Sequence, residues 1–223
     1  MPAHSPVRGR PRTRTVAGLG ALCAASLLAT GPAFAGAAVL TTSAGPVAVG
    51  DTLVSTLYPG TTATLMFSLT RYISCTAAQA QLKVVTNPAS PGAADVDVTA
   101  LAFADCTFVG GTGYTITSIT ESGTGTAVFS DGSPLELSLT AVTEAVVLSS
   151  TLGSLTCDYG NTTSEAAIVG VIANPGAGGS ITYTAQPVHL LSGSSVCGSS
   201  AATIPFSATF GTPLDATAPV TVN

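Results

Sequence analysis

Two stretches of similar design decide the fold of this chain: VVTNPASPGAADVDVTA at residues 84–100 and VIANPGAGGSITYTA at residues 171–185. In each, an apolar run reaches Asn-Pro, passes through Gly-rich residues, and continues in alternation until it ends in Thr-Ala. Clusters of Pro, Gly and Asn mark turns, and alternation of apolar and polar residues marks strands. Each stretch therefore predicts a long β-hairpin that folds back at its Asn-Pro turn.

The cysteines flank the same two turns. The midpoint between Cys75 and Cys106 falls inside NPASPG, and the midpoint between Cys157 and Cys197 falls inside NPGAGG. An even number of cysteines in an exported chain predicts two disulfides, for which three connectivities exist. The midpoints favour Cys75–Cys106 and Cys157–Cys197, with each bond closing one hairpin.

The first 35 residues have the pattern of a secretory signal peptide. Four arginines between residues 8 and 14 precede the uncharged run at 16–30, which is shorter than the ~20 residues of a membrane-spanning helix. Ala33 and Ala35 occupy the small-residue positions that signal peptidase recognises, so we expect cleavage after Ala35 and a mature protein of residues 36–223. A fifth cysteine, Cys23, lies within this leader and would be removed with it.

The predicted mature chain is strongly acidic. Of the six basic residues only Arg71 and Lys83 follow residue 35, whereas all eleven acids do, which gives a net charge of −9. Two cations form no basic patch, so we expect neither nucleic acid nor an anionic lipid surface as a partner. No membrane-spanning segment is expected after the leader is removed.

Strand patterns dominate the rest of the chain. Alternating runs occur at residues 62–70, 95–103, 114–120, 126–130, 135–142, 167–173, 180–185 and 203–210, separated by Gly, Asn, Asp and Ser clusters. Residues 141–155 are the one stretch compatible with a helix, although they are rich in β-branched residues. The pattern predicts a single all-β domain, an antiparallel Greek-key-like β-sandwich braced by two disulfides.

The first hairpin carries a register problem. A uniform ladder from Cys75–Cys106 sets Lys83 opposite Val98, and the apolar face of the second strand changes phase between Val98 and Leu101. A one-residue bulge moves every later side chain to the other face. We therefore expect a bulge near Thr99 and Ala100.

Candidate chemistry is sparse. His189 is the only histidine after the leader, and uniform pairing in the second hairpin sets it opposite Glu165, which predicts an ordinary cross-strand contact. Asp95 and Asp97 share one face of a strand and Asp105 lies near its end; these three acids are either a calcium site or the polar face of a strand. The sequence leaves both alternatives open.

An asparagine at 161 begins Asn-Thr-Thr, which fits a glycosylation sequon by pattern. We assign no catalytic residue, no metal ligand and no cofactor from the sequence.

The segment SC…DVDVTALAFADC, in which a Cys opens a strand, a Val-Thr-x-x-x-Phe run follows and a second Cys closes the unit, carries a resemblance. It resembles uncharacterised secreted β-rich proteins of high-GC actinobacteria and is more distantly similar to the alkane-oxidation protein activator family. The resemblance covers about residues 70–110 and more faintly 157–197. It implies an exported, disulfide-linked β-rich protein and carries over no catalytic residues.

These observations favour a secreted, non-enzymatic module of the cell envelope or extracellular space that binds an envelope component or another protein through its sheet surface. No sorting signal follows DATAPVTVN, so association with the wall would be non-covalent. The alternative is a carrier that holds a small hydrophobic ligand between its sheets. A hydrolase that uses Asp, Glu or His189 is the third option.

Overall fold

A computed structural model describes residues 37–198 and 203–223 of the chain. The predicted signal peptide, its cleavage site and Cys23 lie outside the described residues. Within these two ranges, no helix has the length and apolar character needed to cross a membrane.

The described residues are built from strands joined by short turns. The strands are β1 (Leu40–Thr42), β2 (Gly45–Pro46), β3 (Thr52–Thr56), β4 (Ala63–Ser68), β5 (Arg71–Val84), β6 (Ala93–Val109), β7 (Thr115–Gly123), β8 (Gly125–Ser130), β9 (Glu136–Thr140), β10 (Thr143–Ser150), β11 (Gly153–Gly160), β12 (Ile168–Ala173), β13 (Ser180–Ser192), β14 (Thr203–Gly211), β15 (Leu214–Asp215), β16 (Ala218–Pro219) and β17 (Thr221–Val222). The only helical elements among them are the 3₁₀ turns Pro175–Ala177 and Ser195–Cys197. The predicted all-β fold is confirmed, and residues 141–155 form the β10–β11 hairpin.

All strand pairs are antiparallel, and the main sheet closes on itself. Its ladders run from β5 through β6, β8, β9, β12, β13, β14 and β4 back to β5. β7, β10 and β11 continue from β13, while β3, β15 and β16 continue from β5. The buried apolar side chains of these strands form one continuous core.

The long strands change neighbours along their length. β5 pairs with β4 through its first residues and with β3 through its last, and β13 pairs with β12 at Ser180–Thr182 but with β11 at His189–Ser192. The molecule therefore has two ends built from different short strands, with the long strands common to both.

The first hairpin agrees with the prediction. Cys75 and Cys106 are direct partners on β5 and β6 and form a disulfide. The register shifts between Gln81, opposite Ala100, and Leu82, opposite Val98, so Thr99 is the bulged residue. The predicted bulge is confirmed, and it sets Lys83 opposite Asp97, a pair of opposite charge.

Two details of this hairpin differ from the prediction. The ladder continues past the disulfide to Tyr72 and Val109, so the bond lies inside the hairpin and not at its open end. A second change of phase also occurs, because Leu101 and Phe103 pack against the core and then Cys106 and Phe108 do so. Asp105, between them, has a positive φ of 52° that turns the strand.

The second hairpin turns where the sequence predicts. The prediction that its two arms form one uniform ladder is wrong. Val171 pairs with Thr182 across the Asn-Pro turn, but residues 161–167 form a loop that separates β12 from β11. Cys157 and Cys197 form the predicted disulfide, with Cys197 in a 3₁₀ turn beyond β13. Gly193 (φ 143°) makes this approach possible, because a Cβ there would lie 2.7 Å from the Cys197 Sγ.

The Asn side chains of the two Asn-Pro turns make equivalent hydrogen bonds to the small sheet, which was not predicted from the sequence. Asn87 accepts from the Leu40 N–H and donates to the Leu40 carbonyl, both at 2.8 Å, and Asn174 makes the matching pair of bonds with Val222 at 2.9 and 2.7 Å. Leu40 and Val222 are partners in the small sheet β17–β1–β2. Both turns therefore fasten the sheet that joins the two chain termini of the domain.

Candidate functional site

An apolar cavity of about 90 Å³ lies inside the core. Its wall is formed by side chains from many strands, including Leu65, Ile73, Phe103, Ile119, Leu139 and Val146. A second cavity of about 40 Å³ shares Leu101, Phe103, Leu139, Val142 and Phe206 with the first. The two spaces are therefore separated only by side chains that line both.

One acidic side chain lines the larger cavity. Glu144 on β10 is the cross-strand partner of Glu121 on β7 and of Tyr159 on β11, so these three residues form one row across adjacent strands. The next inward pair along the same two strands is Ile119 and Val146, both of which line the cavity. The row therefore sets a pair of carboxyl groups beside an otherwise apolar wall.

Burial leaves these carboxyl groups poorly satisfied. Both carboxyl oxygens of Glu144 and the Oε1 of Glu121 are buried without a hydrogen-bond partner in the protein. Burial, together with the nearby Glu121 charge, raises the pKa of Glu144 from its ordinary value of 4.5 to about 8. Burial also raises the pKa of Glu121, opposed by a hydrogen bond from the Leu101 backbone. Glu144 is therefore a neutral acid at pH 7.

The wall is interrupted beside this pair. β6 pairs with β8 only as far as Val98, and among the described strands β7 pairs with β10 alone, so no backbone ladder joins the second half of β6 to β7. A side chain spans the gap instead, since the Leu101 N–H donates to the Glu121 Oε2 at 3.0 Å. The gap and the two carboxyl groups thus lie at the same side of the cavity.

Tyr159 holds the other side of the acidic row. Its hydroxyl donates to the Cys197 carbonyl at 2.7 Å, which ties the cavity wall to the second disulfide. Burial raises the pKa of Tyr159, and the Arg71 charge opposes this. Arg71 lies over the rings of Phe67 and Phe108, 5.6 and 5.4 Å from their centroids.

The predicted partners His189 and Glu165 do meet, although by a different route. His189 pairs with Gly160 and Thr203 on its neighbouring strands, while Glu165 lies in the loop before β12. Their side chains are 3.6 Å apart between Nδ1 and Oε1 and are half-buried. Since Val188 and Leu190 on either side are buried in the core, His189 faces outward and away from the cavity.

The three aspartates are not brought together into one site. Asp95 and Asp97 are exposed on the first half of β6, where Asp95 accepts a hydrogen bond from Thr86, and Asp105 is exposed near its other end. Over residues 37–198 and 203–223, no three His, Cys, Asp or Glu side chains form a group able to hold a metal ion. In this structure the three residues belong to the polar face of a strand.

The sequon at Asn161 is inaccessible in the folded protein. Asn161 is completely buried, accepts from the Val142 N–H at 3.1 Å and donates to the carbonyls of Leu139 and Ala166. It closes the loop between β11 and β12 and cannot carry a glycan in this state.

Glu121 and Glu144 were not predicted as site residues from the sequence. A signal was present, because Glu144 is in period-two phase with Val146 and Leu148, and Glu121 with Ile119. Treating residues 141–155 as a possible helix concealed that phase.

Comparisons with protein-family models, with curated proteins and with solved structures found no match. The resemblance to secreted actinobacterial proteins and to the alkane-oxidation protein activator family stays a prediction. The two disulfides indicate that the chain folds in an oxidising compartment outside the cytoplasm.

Proposed function

We propose that this protein is a secreted binding module that holds a small amphipathic ligand, with its apolar part in the cavity and its polar end at Glu121 and Glu144. The sequence suggested, as an alternative, a carrier of a small hydrophobic ligand between the sheets; the proposal here adds a polar end to that ligand. The observation that supports it is the apolar cavity, with the unpartnered carboxyl group of Glu144 at its wall.

A cavity of this size is costly for a domain to retain. Cores contain few voids larger than a water molecule, and residual cavity volume costs about 24 cal/mol per Å³. At about 90 Å³ the cost is about 2 kcal/mol, to which burial of Glu144 adds. Apolar pockets with a few polar groups of shifted pKa are the usual form of a ligand site, which favours binding over a packing defect.

The volume limits the buried part of the ligand. At about 30 Å³ for each water-sized group, the larger cavity holds about three such groups and the smaller one about one more. We place the entrance at the break in the ladder between β6 and β7, because side chains, and not backbone hydrogen bonds, join the strands there. A larger ligand would keep its remaining part outside this gap.

Xenon tests the cavity, because it binds apolar cavities without requiring a polar contact. We expect ¹²⁹Xe NMR to show saturable binding to the wild-type protein and none to Val146→Phe or Ala63→Leu, which fill the cavity from two different strands. Val171→Phe, on an exposed position of β12, is the matched control and should bind as wild type does. Equal xenon binding by folded filled variants and wild type would contradict the proposal.

A second function, attachment to the cell envelope, is favoured by one end of the molecule. Tyr72 pairs with Val109, and Thr115 pairs with Ser149, so the β4–β5, β6–β7 and β10–β11 turns share that end. Leu69 and Leu152 at two of these turns are 91% and 94% exposed. Leucines so exposed on neighbouring turns favour contact with an apolar surface.

Fractionated cultures test this second function. We expect Leu69→Ser with Leu152→Ser to move the protein from the envelope fraction to the medium, while Val49→Ser, at an exposed turn remote from these two, leaves its distribution unchanged. An unchanged distribution of the double variant would exclude these turns as the attachment surface.

A further inference from the structure

The polar groups at one end of the cavity restrict the chemical class of the ligand more than the cavity volume does. Three buried carboxyl oxygens, two of Glu144 and one of Glu121, have no hydrogen-bond partner in the protein. They belong to direct cross-strand partners, whose Cβ atoms lie about 5 Å apart in an antiparallel pair. When both carboxyl groups are ionised, these oxygens are all acceptors, so a group that satisfies them donates several hydrogen bonds from one point.

We propose that Glu121 and Glu144 bind the ammonium group of a primary alkylamine whose short apolar chain occupies the cavity. This inference rests on the proposed function and adds the chemical class of the ligand. An ammonium group has three donors and no acceptor, which matches three acceptor oxygens. An alcohol offers one donor, and a carboxylate would add a third acid to the pair.

The charges around the pair favour a cation. No cationic side chain lines the cavity in the part of the chain that the structure describes. The other strands that line the cavity contribute mainly apolar groups, such as Leu65, Leu101 and Phe206. The titratable or charged neighbours are Glu121 on β7, Tyr159 on β11 and, beyond Tyr159, Arg71 on β5.

The two nearest groups that could meet the carboxyl pair from within the protein, Tyr159 and Arg71, are directed elsewhere. The Tyr159 hydroxyl donates to the Cys197 carbonyl, so its proton is directed away from Glu144. Arg71 lies over the rings of Phe67 and Phe108 and does not line the cavity, although its buried Nη2 has no hydrogen-bond partner. The positive charge that would balance Glu121 and Glu144 therefore has to come with the ligand.

Binding of an ammonium group includes a proton release. In the free protein Glu144 keeps its proton at pH 7, because burial raises its pKa to about 8. The bound ammonium favours the carboxylate, so the Glu144 proton leaves to solvent while the amine keeps its own, and no covalent bond changes. By linkage, the affinity for the amine should rise about tenfold per pH unit below pH 8.

Calorimetric titrations of the whole mature protein with butylamine, 1-butanol and butyrate test this inference. We expect butylamine to bind about tenfold more tightly at pH 7 than at pH 6, with release of a proton that depends on buffer ionisation heat. Butanol should bind more weakly with no such dependence, and butyrate should not bind. Glu144→Gln should remove the pH dependence and the proton release, whereas Glu136→Gln, before the buried Leu137 on β9, should keep both.

The outcomes separate the two proposals. Butanol binding with butylamine no tighter, or butylamine binding that does not change with pH, would overturn the amine inference and leave the cavity site standing. If neither butanol nor butylamine binds the wild-type protein and xenon does not bind either, the proposed function itself is overturned. If Glu144→Gln does not fold, Glu121→Gln and the wild-type comparison of the three ligands still decide the question.

Discussion

Glu144→Gln should change how the stability of the folded protein depends on pH. The pKa of Glu144 rises from 4.5 to about 8 on folding, mainly through burial, so between these values the folded state binds a proton that the unfolded state lacks. The contribution of Glu144 to the free energy of unfolding is therefore fully present below about pH 4.5. It is lost as the pH rises from there through about 8. At about 1.4 kcal/mol per pKa unit, the full loss is about 5 kcal/mol.

Urea denaturation at pH 5, 7 and 9 measures the effect. We expect the free energy of unfolding of the wild type to fall by several kcal/mol across this range, and that of Glu144→Gln to fall much less. The slope is compared, not the absolute stability, because an amide at 144 is also buried without a partner. Glu136→Gln should keep the wild-type slope. A wild-type stability that is constant or rises from pH 5 to pH 9 would refute the assignment of Glu144 as a buried neutral acid.

Three further predictions concern the fold. Replacing both cysteines of either disulfide by Ser, Cys75 with Cys106 or Cys157 with Cys197, should lower the free energy of unfolding by about 4 kcal/mol, because the bonds join residues 31 and 40 apart in sequence. Unchanged urea midpoints would contradict this. Deleting Thr99 should cost about 1 kcal/mol or less, because it removes the bulge while Leu101 and Phe103 keep their inward phase, whereas deleting Ala102 should cost more than about 3 kcal/mol, because it turns Phe103 outward and moves Cys106 out of register with Cys75; equal losses in thermal unfolding would show that the bulge does not set the phase. Asn161→Ala leaves three backbone groups unpaired and should cost about 3 kcal/mol or more in the same assay, and a loss near zero would mean that water replaces the side chain.

The local features of the fold were predictable because they rest on short-range patterns. The Thr99 bulge follows from a change of apolar phase within one strand, and the two disulfides follow from the turn at the centre of each Cys pair. These signals need only the period of a strand and the chemistry of a turn. Both are present in the sequence whatever the rest of the chain does.

The features that depend on long-range pairing were not predictable. Nothing in the alternation of residues 157–165 shows that β11 and β12 are separate strands, because the break is made by Asn161 bonding to Val142 and Leu139, residues of a distant turn and strand. The carboxyl pair was missed for the same reason. Glu121 and Glu144 become neighbours only when β7 pairs with β10, and no local pattern fixes that pairing.

The most direct test of the central claim, that the cavity is a ligand site with Glu144 at its polar end, is an isotope-filtered NOE measurement on methyl-labelled protein with butylamine at pH 8. We predict NOEs from the terminal methyl of butylamine to the methyl groups of Ile119, Leu139 and Val146, and none to Val171 or Leu152, which lie on the outer surface. Contacts confined to the exposed methyl groups, or none at all at saturating amine, would contradict the claim.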